Sequence, residues 1–257
     1  MMNKSPKVYW LLSFLMVVVG AALGPAVKNS HAYVLPSEQV LQFMAAHFSK
    51  FETLVITHSV ERESQEGVKN FEEILTMKSP DLLHTETKDP SVNQSRVVDR
   101  FYRRLFLAST QTRLSVLLSE AGVNTEKVSF TREDGTIAYL IGDEGPDSPK
   151  LAVEKARFLP LLFVYPSRLA GSTDLVKVTF RDYRQVDQGW YPFEILCSSG
   201  NGWAERYKIQ SIRVNVPVQP SLFLQPQKQE ESRPAESPAK DEKIDSIIKT
   251  FEQKYGQ

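Results

Sequence analysis

Beyond the first 32 residues, three histidines (His47, His58, His84), one cysteine (Cys197), and scattered serines and acids are the side chains whose types could do chemistry. Nucleophilic catalysis needs a Ser or Cys beside a base, with donors aimed at the developing oxyanion. The sequence has no GxSxG elbow, no P-loop and no GxGxxG, and no histidine sits in an HExxH pair. Ser-x-x-Lys occurs at Ser237 with Lys240 and at Ser246 with Lys249, both in a tail where no preorganised oxyanion site is expected. His58 and His84 fall on predicted strands read as neighbours, and a hydrolase would have to draw on them and on scattered acids. The acidic run Gly142-Asp143-Glu144-Gly145-Pro146-Asp147 lacks the alternating ligands and terminal Glu of a calcium loop, and reads as a solvated turn. Cys197 lies where a strand would bury it, so a packed thiol is expected. The residue set therefore predicts no enzyme, no metal and no cofactor.

The elements that must carry these residues are mostly strands. Residues 150–223 read as antiparallel strands divided by polar turns. Val176, Val178 and Phe180 alternate with Lys177, Thr179 and Arg181, and the 190–197 and 203–216 segments follow after turns at Asp187-Gln188-Gly189 and Ser199-Gly200-Asn201-Gly202. Upstream, Ser37 reads as the N-cap of a helix bearing Val40, Leu41, Met44, Ala45 and Phe48. Strands over 54–60 and 71–77 pair across a turn near Gln65-Glu66-Gly67, and a third begins at Leu82 after Lys78-Ser79-Pro80-Asp81. A helical hairpin over about 95–122 carries one stripe of Val97, Val98, Phe101, Tyr102, Leu105 and Phe106. Its other stripe is Leu114, Leu117, Leu118 and Ala121, with Ser109-Thr110 as cap and Gly122 as stop. Arg100, Arg103, Arg104 and Arg113 are placed on or near its polar faces, as solvated cations or as contacts for anionic lipid headgroups. Strands return at 127–131, 136–141, 151–154 and 158–165.

Composition sets the surroundings. The chain has 257 residues, 41% hydrophobic and 24% charged, enough for one domain with a sizeable core and read as a monomer. Formal charge is zero. Lys4, Lys7 and Lys28 lie in the first 32 residues, and removing these three of 31 basic residues leaves 28 against 31 acids, a balance unsuited to nucleic acid. Lys4 and Lys7, an apolar run over 8–24 and Ser30-His31-Ala32 together read as a signal peptide (residues 1–32) cleaved before Tyr33. Export with a single cysteine points to a periplasmic protein held by its core. After a domain over 33–224, residues 225–239 read as a disordered linker. Residues 240–257 read as an amphipathic helix with Ile244, Ile247, Ile248, Phe251 and Tyr255 on one face.

The order of these elements resembles the LolA-like group of periplasmic lipoprotein carriers. Its carriers are Phe71-Glu72-Glu73-Ile74-Leu75-Thr76-Met77-Lys78-Ser79-Pro80-Asp81-Leu82, Leu151-Ala152-Val153-Glu154-Lys155 with Phe158-Leu159-Pro160-Leu161, and Val178-Thr179-Phe180-Arg181-Asp182-Tyr183 with Tyr191-Pro192-Phe193-Glu194-Ile195. The resemblance implies a mainly β (α+β) fold, in which a strongly curved antiparallel sheet forms an unclosed β-barrel with a helical lid over an apolar cavity. It implies a carrier of acylated lipoproteins or lipids, served by an inner-membrane exporter and an outer-membrane acceptor. The same fold could instead serve a non-enzymatic envelope sensor or scaffold. Alternating apolar positions give the expected lining: Leu54, Ile56, Leu75, Met77, Val128, Phe130, Val178, Phe180, Phe193 and Ile195. Carriers of this group commonly have an Arg before the turn Pro that latches the lid. Here that position is Ser79, and one hydroxyl cannot reproduce a five-donor fork. The usual Asp-Gly strand turn after the third strand is replaced by the helical hairpin, which points to a divergent member.

Overall fold

The computed structural model describes residues 33–64, 67–87, 99–169, 172–200 and 202–224. The expected signal peptide, linker and C-terminal helix, together with Val97 and Val98 of the first helical stripe, lie outside the described residues. Among the described residues no helix is long and apolar enough to cross a membrane.

Ten strands form one antiparallel sheet: β1 (Thr53–Ser64), β2 (Gly67–Lys78), β3 (Leu82–Thr87), β4 (Val128–Glu133), β5 (Thr136–Gly142), β6 (Lys150–Glu154), β7 (Pro160–Pro166), β8 (Leu175–Val186), β9 (Gly189–Ser199) and β10 (Trp203–Val214). Their order is β3-β2-β1-β10-β9-β8-β7-β6-β5-β4, so β3 and β4 are free ends and the barrel is unclosed. Neighbours in space are neighbours in sequence everywhere except at the β1–β10 seam, where Leu54 lies opposite Val214. Turn chemistry explains the local pairings. Asp134 and Gly135, with φ of 47° and 81°, supply the left-handed pair that a two-residue hairpin turn needs between Glu133 and Thr136.

Helix α1 (Ser37–Phe48) turns Val40, Leu41, Met44, Ala45 and Phe48 inward. Its N-cap position is Pro36, not Ser37 as expected; Ser37 is the first helical residue and caps nothing. Helix α2 (Gln111–Glu120) begins as expected, with Thr110 Oγ1 accepting from the Arg113 amide at 3.3 Å. It ends in a Schellman turn, in which the Val123 amide donates to Leu118 O and Gly122, at φ 74°, donates to Ser119 O. The first half of the expected hairpin is not α-helical. Residues Phe101–Leu107 form a 3₁₀ helix whose start is held by Asp99, which accepts from the Phe101 amide at 2.9 Å.

One hydrophobic core joins the inner face of the sheet to α1, the 3₁₀ helix and α2. A smaller cluster of Ala138, Leu140, Ala152, Leu162 and Val164 lies on the opposite face of β5, β6 and β7. These central strands are therefore apolar on both sides, as continuous apolar runs require.

Candidate functional site

The 3₁₀ helix is the keystone of the covered face. Phe106 projects from it into an aromatic nest. Its ring centroid is 5.3 Å from Phe48 of α1, 5.4 Å from Phe180 of β8 and 4.8 Å from Tyr191 of β9. Edge-to-face and tilted arrangements of this kind let the ring quadrupoles attract while each ring buries its full area.

The structure brings most of the expected lining residues together here. Leu54, Ile56, Leu75, Met77, Val178, Phe180 and Ile195 are buried in the main core, and Val128 and Phe130 pack against it half-buried. Phe193 stands apart: it is half-buried outside that cluster, with the Arg184 guanidinium 4.4 Å from its ring centroid. The wall residues of the core cluster are at most 3% exposed, against Phe48, Tyr102 and Phe106. Among the described residues, one cleft of about 290 Å³ lies between Pro80-Asp81 and α2 and another of about 360 Å³ lies over β1, β2 and β10. Neither is lined by any of the ten expected positions.

Beneath the lid, a charged knot sits inside the apolar face. Alternation places His58 in line with Leu54, Ile56 and Val60, and Glu73 in line with Phe71, Leu75 and Met77, and the ladder sets His58 directly opposite Glu73. Nε2 of His58 is 3.0 Å from Glu73 Oε1. From the lid side, Arg100 Nη2 donates to Glu73 Oε2 at 2.6 Å and Nη1 to Thr85 Oγ1. Arg103 Nη2 lies 3.5 Å from Glu73 Oε1, while its Nε donates to the Tyr102 hydroxyl at 3.2 Å and its guanidinium lies 4.9 Å from the Tyr207 ring centroid. Tyr207 in turn donates to Glu205, which also pairs with Arg62.

Burial raises the cost of the Glu73 anion, but Arg100, the His58 hydrogen bond and Arg103 together pull its pKa down to about 2. His58 is pushed below its ordinary value by burial, opposed by the bond to Glu73, with Arg103 and Arg100 adding to the downward push. Glu73 is thus ionised and His58 neutral, so Nε2 carries the proton that Glu73 accepts. Burial likewise pushes the Cys197 thiol well up, leaving it protonated and inert, as its strand position predicted.

Two expectations need correction. Arg103 is not on a solvated face; it is 2% exposed and forms the inner half of the knot. His58 and His84 are not neighbours, because β2 lies between their strands; His84 pairs across the ladder with Thr76 and reaches Glu86 Oε1 at 3.1 Å. The Ser79 turn does meet the lid, but in reverse: Arg113 of α2 donates from Nη1 to Ser79 Oγ at 3.2 Å, so the guanidinium stands on the helix. Among the described residues no group of three or more His, Cys, Asp or Glu side chains gathers in a way that could hold a metal ion.

Fold and site together define an unclosed antiparallel barrel whose apolar face is covered by separate helical segments. No protein-family model matches the chain, and no curated protein matches it. Solved structures do. A candidate outer membrane lipoprotein-sorting protein domain from Vibrio parahaemolyticus superposes with a TM-score of 0.50 at 14% identity, covering 72% of this chain and 95% of that one. A LolA superfamily protein from Nitrosomonas europaea gives 0.49 at 7% identity over 74% and 97% of the two chains. A DUF1329 family protein from Desulfovibrio piger gives 0.48 at 12% identity over 73% and 97%. The chain has the LolA-like fold.

Proposed function

We propose that this protein is a non-enzymatic periplasmic carrier that binds acyl chains of lipoproteins or related lipids for transfer toward the outer membrane. Such a carrier would take cargo from an inner-membrane exporter and deliver it to an outer-membrane acceptor. The observation that carries this reading is how the cover is attached. Among the described residues no backbone–backbone hydrogen bond runs from α1, the 3₁₀ helix or α2 to a strand. No ladder bond holds the lid, so it can part from the wall without breaking the ladder.

Magnitudes favour exchange. Withdrawing an aromatic such as Phe106 costs about 3–5 kcal/mol, whereas burying ten methylenes of an acyl chain gains roughly 8 kcal/mol before ordering costs. The test is to purify the protein from periplasm, extract it with organic solvent and identify acyl species by mass spectrometry, then to measure retention of a triacylated lipopeptide by gel filtration. Stoichiometric acyl cargo and lipopeptide retention are expected.

The packing of the wall residues into one core cluster with Phe48, Tyr102 and Phe106 favours a second reading, a sensor or scaffold that uses the same fold to bind a protein partner. Under that reading the purified protein carries no lipid and retains no lipopeptide, and deleting residues 240–257 abolishes partner binding.

A further inference from the structure

The charged knot is unbalanced. Glu73 carries one negative charge, Arg100 and Arg103 carry two positive ones, and His58 is neutral. Among the described residues, Glu73 is the one acid that accepts from either guanidinium. Glu205 is engaged by Arg62 and the Tyr207 hydroxyl. Asp99 is engaged by the Tyr165 hydroxyl and by the amides of Phe101 and Arg168. The surplus shows in the hydrogen bonding as well. Nη1 of Arg103 and Nε of Arg100 are both buried and have no hydrogen-bond partner among the described residues. A buried donor without an acceptor is costly, and a buried unpaired charge more so. Both donors belong to side chains that already converge on one carboxylate, inside a face otherwise built of aliphatic and aromatic residues.

We propose that the Arg100–Arg103 pair is the polar anchor of the lipid site, receiving a carboxylate or phosphate attached to an acyl chain that lies along the apolar wall. The proposal rests on the carrier reading and adds the charge class of the cargo. A planar guanidinium suits both anions, since each presents two oxygens to a fork of N–H donors. Arg103 is 2% exposed, so the anion reaches it only as the cover moves, in step with entry of the chain.

The experiment is isothermal titration calorimetry of the full exported protein, below micellar concentrations, with four probes sharing one C18 unsaturated chain: oleate, 1-oleoyl lysophosphatidate, neutral monoolein and cationic oleylamine. At least one anion is expected to bind about tenfold or more tightly than monoolein, consistent with a charge-assisted hydrogen bond, with oleylamine weakest. Whether oleate or lysophosphatidate leads tells carboxylate from phosphate. Arg103→Met is expected to bring the affinities for the anions down to that for monoolein measured on the same variant, and Arg103→Lys to keep part of the preference. Should either variant fail to fold, the ranking of the four probes on the unaltered protein decides. Equal binding of monoolein and both anions overturns the anchor and leaves the carrier reading standing. Absence of binding by all four overturns the carrier reading itself.

Discussion

Glu73 is a single carboxylate shared by three bases, and its worth depends on staying ionised. Its pKa of about 2, against an ordinary 4.5, means its stabilisation is complete above pH 4.5 and is lost as pH falls toward 2. The integrated effect is roughly 3 kcal/mol. His58 acts earlier. Its folded pKa lies below 6.5, so the unfolded chain takes up that proton first and stability starts to fall as pH drops below 6.5. Urea midpoints at pH 7.5, 5.5 and 3.5 should therefore decline in two stages, and in His58→Gln the first stage should flatten. Glu73→Gln leaves the buried Arg103 and the half-buried Arg100 without their shared counter-charge and should cost about 3–5 kcal/mol at neutral pH, read from the same denaturation curves. Half of this knot was legible in the sequence: strand alternation alone puts His58 and Glu73 on the apolar face. Arg103 was not, for a geometric reason. A helix of period 3.6 turns Arg103 away from the middle of the apolar stripe, around Phe101 and Leu105, whereas the 3₁₀ helix repeats every three residues and puts Arg103 in one column with Phe106. Burial follows that period, with Phe101 and Arg104 half-buried between the pairs Tyr102-Arg103 and Leu105-Phe106.

At the scale of elements, the seat of α1 is set by one missing side chain. A Cβ on Gly189 would lie 2.6 Å from the His47 carbonyl oxygen and 2.4 Å from Phe51 Cζ. The end of α1 thus rests directly on the backbone of the β8–β9 turn. Gly189→Ala should force the two apart, costing about 1–3 kcal/mol and speeding proteolysis in residues 49–52, as followed by limited digestion and mass spectrometry. If digestion there were unchanged, α1 would be held by its other contacts. The strands were the most readable elements. All three turns of the N-terminal and C-terminal meanders that lie between predicted strands separate observed ones, and β3 begins at Leu82 as expected. Alternation and turn residues are local signals, and the antiparallel hairpin is a local structure. The seam between β1 and β10 left no such trace, because its partners are joined by neither turn nor period.

For the molecule as a whole, the proposed carrier role requires relative movement of lid and sheet. Arg113 and Ser79 mark a point where the two touch at the surface. Bridging Ser79→Cys and Arg113→Cys with a short bis-maleimide should block lipopeptide uptake, whereas the same double variant left unbridged should still load. The buried Cys197 should not react with the reagent. Uptake by the bridged protein would mean that cargo enters without displacing α2.

The β1–β10 seam has a consequence for how the chain comes to be folded. Strand β1 is laid down among the first elements, yet its partner along one whole side arrives only with residues 204–214, some 150 positions later. A polypeptide emerging in order from its amino terminus therefore holds an open hydrogen-bonding rim until nearly all of it is out, and closing so large a loop is slow. A version halted at residue 202 should stay protease-sensitive throughout, and adding back β10 should bring the entire sheet together in one late step.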